Sequence, residues 1–340
     1  MNILFELGHP AHVHLFRNFI SYLKKNAHNI TIATRNKEIT NNLLDYYGLE
    51  YTSLSDPANG LLGMLKELLL RDIKILDLHK KKKFDVCFGS SVSIAHLTAL
   101  TGVKSYCFSE DDDPVVPLYV ALTYPFCSGI AVPSCLDYSK WKNKRIKHNS
   151  YHELAYLHPD NFTPDEHILK KYGLEKGKYA IARFSALKAH HDINAKGISK
   201  SLWEQIEPIL NGYEIIKSSE TERAQKIELW DMHHIMAFAK MIISDSQTMT
   251  IEAAVLGVPA VRINTFIGKS TVIDELEQKY KLSYGLLPNQ ENEILNTITE
   301  IINDADSSET YTERQNIFLS EKIDLNNWMI DFFEEKINKI

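Results

Sequence analysis

Cysteine is scarce in this sequence, with four residues in 340. Cys87, Cys107, Cys127 and Cys135 lie on apolar stretches, and no pair has the C-x-x-C spacing of a metal or redox site. This scarcity excludes a disulfide-stapled scaffold and a zinc ribbon. The four residues are expected to be reduced thiols of the core, which favours a cytoplasmic location.

Long hydrophobic runs are also missing. No segment reaches the roughly 18 uninterrupted apolar residues that a membrane-spanning helix needs. The chain passes from Met1 directly into a strand-like run without a cleavage site. Neither export nor membrane spanning is therefore expected.

A strong excess of charge of one sign is absent as well. Lys and Arg number 38 against 44 Asp and Glu, a net charge of −6, and 44% of the residues are hydrophobic. This composition is typical of a globular protein and excludes a dedicated nucleic-acid binder. It favours a small or lipid-linked substrate, and the length allows about two domains.

Strands and helices alternate along both halves of the chain, which predicts parallel sheets covered on both faces. Predicted strands include 2–7, 29–33, 84–88, 104–108, 179–183, 213–217, 241–244 and 260–263. A polar stretch at 141–164 is the best linker candidate. We therefore expect domains at 1–160 and 161–323, and a final amphipathic helix at 324–340 that packs on the first domain.

Leucines recur at helical spacing between residues 56 and 83, and lysines close this segment at 80–83. Core packing with a solvated basic end is the favoured interpretation. An interfacial helix near anionic lipid is the lesser alternative, which would place the protein peripherally at the inner membrane face.

The most informative motif is at 241–262, where a buried strand ends in a polar turn that opens a helix. Asp245, Ser246, Gln247 and Thr248 bring hydroxyls, an amide and backbone N–H groups to that helix N-terminus, which indicates an anion site. Glu252 lies one turn further on the same face, where its carboxylate could accept two hydroxyls of a ribose. Simple helix capping is the alternative.

This motif resembles the nucleotide-sugar motif in the C-terminal domain of GT-B enzymes. It is similar to UDP-N-acetylglucosamine 2-epimerases, which carry an Asp-Ser-Gly-Gly turn, glutamates and Leu-Gly-x-Pro, and to the N-acetylglucosamine transferase of peptidoglycan synthesis. Gln247 and Thr248 replace the two glycines here. The segment 231–240 resembles the helix that precedes the motif in those enzymes and helps to hold the base.

The segment Gly8 to Asn18 resembles a family of predicted, uncharacterised GT-B glycosyltransferases that open with a strand and an H-P-A-H-V-H turn. The resemblance implies a GT-B fold of two Rossmann-like domains with a cleft between them. The equivalent turn of the peptidoglycan N-acetylglucosamine transferase also carries a His-Val pair, and this resemblance implies that His12 lies at the floor of that cleft. A histidine with a pKa near neutrality suits a general base, so His12 is the first catalytic candidate.

Two other predicted strands are followed by loops that carry candidate residues. Four consecutive carboxylates follow the strand 104–108, and Asp111 and Asp113 are the reserve candidates for the base. After the strand 179–183, the resemblance to the epimerases implies that Arg183 and either His190 or His191 lie near the diphosphate. Ser218, after the next strand, could add a donor.

The predicted function is transfer of a sugar from a nucleotide diphosphate donor, expected to be UDP-linked, to a glycan or lipid-linked acceptor in cell-surface polysaccharide or glycolipid synthesis. Neither a metal nor a cofactor is expected, because helix N-termini and basic side chains can stabilise the departing diphosphate. The alternatives are a UDP-N-acetylglucosamine 2-epimerase-like enzyme and a non-catalytic nucleotide-sugar binder. In the epimerases an essential aspartate follows the strand that matches 84–88, where this chain has Gly89-Ser90-Ser91.

Overall fold

A computed structural model of the protein describes residues 1–136, 140–184, 197–219 and 227–338. The chain divides into two compact units. The first unit comprises residues 1–156 and 323–340, and the second comprises residues 157–322. The predicted domain limits lie close by, at 160 against 156 and at 323 against 322.

A parallel sheet forms the centre of the first unit. Its strands, in the described part of the chain, are β1 (Asn2–Leu7), β2 (Asn29–Arg35), β3 (Tyr51–Ser55), β4 (Val86–Gly89), β5 (Lys104–Phe108), β6 (Gly129–Pro133) and β7 (Arg145–His148). They are ordered β3-β2-β1-β4-β5-β6-β7. All of the neighbouring pairs are parallel, which confirms the predicted sheet type.

Helices connect the strands of this sheet. They are α1 (Pro10–Lys25), α2 (Glu38–Tyr46), α3 (Gly60–Lys82), α4 (Val92–Thr101), α5 (Pro117–Thr123) and the short α6 (Leu154–Leu157) at the boundary of the unit. Strand β1 is buried on both faces, as expected for a parallel strand that helices cover on both sides. Its Phe5 ring lies 5.4 Å from the ring of Phe16 on α1 and 5.4 Å from that of Phe88 on β4.

The last helix of the chain, α14 (Leu325–Lys336), belongs to this first unit. Phe333 is fully buried, with its ring 6.0 Å from that of Phe19 and 5.1 Å from that of His28. Tyr22 donates a hydrogen bond from its hydroxyl to Glu334 Oε1 at 3.2 Å. Aromatic packing therefore holds the end of the chain against α1.

Helix α3 differs from the prediction of core packing. Leu62 is 83% exposed and Leu69 is 63% exposed, and the buried residues of this helix are Glu67 and Ile75. The leucine spacing correctly predicts a helix, but most of its leucines are exposed rather than packed in the core. The exposed ones are Leu61, Leu62, Leu65, Leu69 and Leu70. None of the helices in the described residues is long and apolar enough to cross a membrane.

The linker predicted at 141–164 is also wrong over most of its length. Strand β7 lies within it as the edge strand of the first sheet, and Tyr151 and Leu154 are buried. An edge strand keeps one side open to solvent, so its sequence can be as polar as that of a loop.

The second unit contains a smaller parallel sheet. Its strands, as far as the chain is described, are β8 (Tyr179–Phe184), β9 (Glu214–Ser219), β10 (Met241–Ser244), β11 (Ala260–Ile263) and β12 (Ser283–Leu286), ordered β12-β11-β10-β8-β9. The helices are α7 (His167–Lys171), α8 (Lys200–Ile206) with a 3-10 turn at Glu207–Leu210, α9 (Met232–Ala237), α10 (Gln247–Val255), α11 (Thr271–Gln278), α12 (Glu291–Asn303) and α13 (Ser307–Glu321).

Apolar residues fill the space on both faces of this second sheet. Ile243 and Val261 belong to one core layer, and Ile242 and Ala260 belong to the other. In each unit the first strand has later strands on both sides, so the chain direction across the sheet reverses beside it. Open α/β sheets bind ligands at the carboxyl ends of the strands at this position.

Candidate functional site

The turn between β10 and α10 exposes the start of a helix at the carboxyl edge of the second sheet. Ser246 is the N-cap of α10, and its Oγ accepts a hydrogen bond from Met249 N at 3.5 Å. Ser246 N donates to Ser244 Oγ at 2.9 Å. Ser246, Gln247 and Thr248 are half-buried. The helix N-terminus is thus accessible, and its N–H groups and dipole favour an anion.

Buried neighbours fix the path of this turn. Asn264, which is fully buried after β11, donates from Nδ2 to the Asp245 carbonyl at 3.0 Å. The Asp245 carboxylate lies against the backbone of Gly197, where a Cβ would stand 2.4 Å from Oδ2. The backbone of Asp245 is thus held in place, and the predicted role of Asp245 in binding the nucleotide sugar stays a prediction. Asn264 was not predicted, because nothing in the sequence joins it to a turn 19 residues earlier.

Arg183 and Ser218 lie on the neighbouring strands of the same sheet edge. They face each other in the β8–β9 register, and Arg183 Nη1 donates to Ser218 Oγ at 2.8 Å. Ser244, the last residue of β10, is the register partner of Arg183 on its other side. The Arg183 guanidinium and the N-terminus of α10 thus follow adjacent strands at the same sheet edge. A cation and free N–H groups at one edge are the groups that bind a diphosphate. His190 and His191 lie outside the described residues.

Glu252 lies in α10 as predicted, but it is buried and already engaged. Its exposure is 5%, and its Oε1 lies 2.9 Å from His233 Nε2 of α9. The imidazole fixes the orientation of the carboxylate. A role for Glu252 in binding a ribose stays a prediction, and its contact with His233 means that truncation would also affect stability.

His12 lies near the start of α1, at the carboxyl end of β1 in the first unit. His9 caps this helix, with its Nδ1 accepting from Ala11 N at 3.2 Å. Burial, together with His9 and Lys37, lowers the pKa of His12 to about 3. The expected near-neutral pKa is therefore wrong, and His12 is a neutral and weak base at pH 7. Its buried Nδ1 has no hydrogen-bond partner among the described residues.

Glu110 is the titratable group of the acidic loop that sequence reasoning overlooked. Its Oε1 accepts a short hydrogen bond from His152 N, and its Oε2 lies 3.3 Å from His152 Nδ1. Burial and the neighbouring Asp111 carboxylate raise the pKa of Glu110 to about 8, although the His152 hydrogen bond lowers it. A carboxyl group with this pKa can exchange protons near neutral pH.

The two predicted acids of the same loop have other surroundings. Asp113 receives two hydrogen bonds from Arg145 Nη2, at 2.8 Å and 2.7 Å, so it holds the loop to β7. Asp111 is exposed. The best proton-transfer candidate of this loop is therefore Glu110, rather than Asp111 or Asp113.

His152 lies beside Glu110, as the two contacts above show. Burial lowers the pKa of His152 well below its usual value, and the charges of His148 and His12 act in the same direction. The buried Nε2 of His152 has no partner within the described part of the chain. Glu110 and His152 thus form a pair in the first unit, the unit that also contains His12. The sequence signal for His152 was its place in a histidine-rich stretch, which was interpreted as a linker.

A family model described as "Protein of unknown function (DUF354)" matches residues 1–335. This chain belongs to the DUF354 family. A search of curated protein sequences finds no match.

Solved structures resemble this DUF354 chain over almost its full length. S. aureus MnaA, solved with UDP, has a TM-score of 0.75 at 10% identity. The matched region covers 100% of this chain and 97% of the MnaA chain. The Neisseria meningitidis UDP-GlcNAc 2-epimerase, bound to UDP-GlcNAc, has a TM-score of 0.67 at 14% identity, covering 97% and 98%. The Streptomyces sp. SF2575 glycosyltransferase SsfS6 has a TM-score of 0.62 at 12% identity, covering 97% and 99%. At such identities the likeness shows the fold alone, and it confirms the predicted GT-B fold of two Rossmann-like domains.

Proposed function

We propose that this DUF354 protein is a glycosyltransferase that moves a sugar from a nucleoside diphosphate donor, with UDP as the expected nucleotide, to a hydroxyl of an acceptor. The observation that carries the proposal is the β10–α10 turn, where an accessible helix N-terminus follows the strand next to Arg183. This combination provides both N–H donors and a cation for two phosphate groups.

The donor site would use the second unit. The N–H groups at the start of α10 and the side chains of Gln247 and Thr248 would receive the diphosphate, with Arg183 held by Ser218 on the next strand. These groups would stabilise the negative charge that grows on the leaving diphosphate. Glu252, oriented by His233, would accept the ribose hydroxyls.

The first unit would supply the group that moves the proton. As the acceptor oxygen forms its bond to the sugar C1 and the bond from C1 to the diphosphate oxygen breaks, the acceptor hydroxyl proton passes to the Glu110 carboxylate. His152 positions this carboxylate through its backbone N–H. With a pKa of about 8, roughly a tenth of Glu110 is ionised at pH 7. His12 would hold a substrate hydroxyl through its Nδ1.

Nucleotide-sugar epimerisation is the second candidate function. The observation that favours it is that Glu110 is mainly protonated at neutral pH, as a general acid must be. The serines that follow β4 argue against it. Ser90 Oγ donates to the Phe108 carbonyl at 2.8 Å, and Ser91 Oγ accepts from Arg71 at 2.7 Å. The resemblance to the epimerases implies a carboxylic acid at this position. Here the position has two serine hydroxyls, and both are engaged in hydrogen bonds within the protein.

The acceptor is proposed to be a glycan or a lipid-linked glycan of cell-surface synthesis, used on the cytoplasmic side. This part of the proposal rests on the resemblance to the GT-B glycosyltransferases.

Incubation with a panel of UDP-sugars tests the proposal, with UDP release measured in the presence and absence of glycan and lipid-linked acceptors. We expect UDP release that depends on the acceptor. Interconversion of the donor into its epimer, detected by NMR, would establish the second candidate instead. UDP binding in calorimetry without turnover of any donor would identify a non-catalytic binder and contradict the proposal.

A further inference from the structure

Helix α3 presents an unusually apolar surface to solvent. Six of the fifteen large exposed apolar residues in the described chain lie on it. Four of them, Leu62, Leu65, Leu69 and Ile73, are spaced as one helical face, and their exposures range from 43% to 83%. Lys80 continues this line two turns beyond Ile73. We call the surface of these five residues the α3 face. Contiguous apolar patches of this kind mark interaction sites.

The opposite side of α3 is bound firmly to the first unit. Glu67 is 5% exposed and receives hydrogen bonds from Arg35 at 2.6 Å and 2.7 Å and from Ala58 N at 3.0 Å. Asp72 lies 2.7 Å from His96 Nδ1 on α4. The fully buried Ile75 packs on the unit as well. The helix is therefore a fixed part of the unit, and the α3 face is the side that is left outward.

The charges around the α3 face have one dominant sign. Two of the three carboxylates of α3 point inward, as Glu67 and Asp72 show, whereas the lysines Lys66, Lys80, Lys81 and Lys83 are exposed. Asp77 is the exposed carboxylate, and it lies 2.6 Å from Lys81 Nζ. This local excess of cations occurs in a chain whose net charge is −6.

We propose that the α3 face docks the protein on an anionic phospholipid bilayer, with the leucines in the acyl boundary and the lysines at the headgroups. A leucine row that ends in lysines is typical of interfacial helices. A second copy of the chain could cover the leucines, but it would leave the lysines unused. An anionic bilayer is favoured because its acyl boundary would contact the leucines and its headgroups would contact the lysines. This inference is independent of the proposed enzymatic activity.

Co-sedimentation with vesicles tests the docking. The protein should bind vesicles that contain phosphatidylglycerol and should bind pure phosphatidylcholine vesicles far more weakly. The double variant L62E/L69E should lose this binding by at least about tenfold, because it places two charges in the apolar boundary. The matched control is I317E, since Ile317 is a 58% exposed apolar residue of α13 in the other unit. I317E should bind like the wild type.

The contribution of the lysines at the end of α3 is tested separately with K80Q/K81Q/K83Q. At about 1 kcal/mol for each lysine near an anionic surface, or about fivefold, three lysines should change the partition coefficient by roughly a hundredfold. Its control is K170Q/K176Q/K200Q, which removes three exposed lysines of the second unit and should have little effect. Unchanged circular dichroism and Tm would show that all variants are folded.

Three results would overturn the proposal. The first is equal binding of wild type and L62E/L69E to anionic vesicles, and the second is no binding by either. The third is a wild-type dimer in light scattering that L62E/L69E converts to a monomer, without vesicle binding by the wild type. This third result would make a second copy the occupant of the α3 face.

Discussion

The β1–α1 turn of the first unit and the β10–α10 turn of the second unit have the same architecture but carry different side chains, histidines in the first and small polar residues in the second. Each follows a central parallel strand and begins a helix at the carboxyl edge of its sheet. Ser246 caps α10 with a hydroxyl, and its neighbours are polar and half-buried. His9 caps α1 with an imidazole, and the same unit contains the half-buried pair Glu110 and His152.

This difference is the basis of the two roles in the proposed function. A helix start with small polar residues leaves N–H groups accessible to an anion, without proton exchange near neutral pH. The first unit instead contains groups with shifted pKa values, about 3 for His12 and about 8 for Glu110. In the proposed function, donor binding therefore belongs to the second unit and proton transfer to the first.

Replacing Glu110 should give the largest effect, a loss of kcat without a loss of UDP affinity, because Glu110 lies in the first unit and the proposed donor site lies in the second. E110Q removes the group that accepts the proton, so kcat for sugar transfer should fall by about 10²–10⁴. UDP affinity should stay within about twofold, because the donor residues lie in the other unit. Steady-state kinetics and calorimetry measure the two quantities. D111N is the control, since it changes an exposed carboxylate of the same loop and should retain most of kcat. An E110Q variant that keeps more than a tenth of kcat would contradict the assignment.

Replacing Glu252 should produce the reverse pattern. E252A should weaken UDP binding by about 1.5–3 kcal/mol, the range for a hydrogen bond to a charged group, which is about 10- to 150-fold in Kd. Because Glu252 also contacts buried His233, E252A should cost about 1–3 kcal/mol of folding stability.

The conservative variant E252Q separates these two effects. It keeps an oxygen to face His233 Nε2, so it should preserve Tm while still weakening UDP binding by about fivefold. E291Q, at an exposed carboxylate of α12, is the matched control. UDP affinity of wild-type strength in both folded Glu252 variants would remove Glu252 from the donor site.

His12 should give the smallest effect of the three. A residue with a pKa of about 3 is too weak a base to carry the reaction, so H12Q should remove one neutral hydrogen bond to substrate. That is worth about 0.5–1.5 kcal/mol, or about two- to tenfold in kcat/KM for the acceptor. A loss of a thousandfold in kcat would show that His12, and not Glu110, is the base.

The sequence predicted those parts of the fold that depend on local patterns. Strands β1, β5, β10 and β11 have the predicted bounds, because buried parallel strands are short apolar runs between turn residues. Strand β7 was missed because an edge strand can be polar, and the exposure of α3 was missed because helical periodicity does not reveal which side packs.

The sequence predicts only those parts of the candidate site whose residues lie close together in one segment of the chain. Residues 245–248 and Glu252 form one such segment. Asp245 and Ser246 lie in the predicted turn and Glu252 in the predicted helix, whereas Gln247 and Thr248 are already the first two residues of α10. Glu110 was not distinguished from Asp111 and Asp113, because burial and the partners His152 and Arg145 decide their roles. Those partners lie 42 and 32 residues further along the chain.

The pH dependence of sugar transfer tests the central claim most directly. A general base must be ionised, so kcat/KM should rise about tenfold per pH unit below the Glu110 pKa and level off above about pH 8. E110Q should lose this rise, because its amide does not titrate. A profile that falls above pH 8 would contradict the account, because Glu110 would then act as an acid, as the epimerisation alternative requires. The same rise in wild type and E110Q would contradict any role of Glu110 in proton transfer.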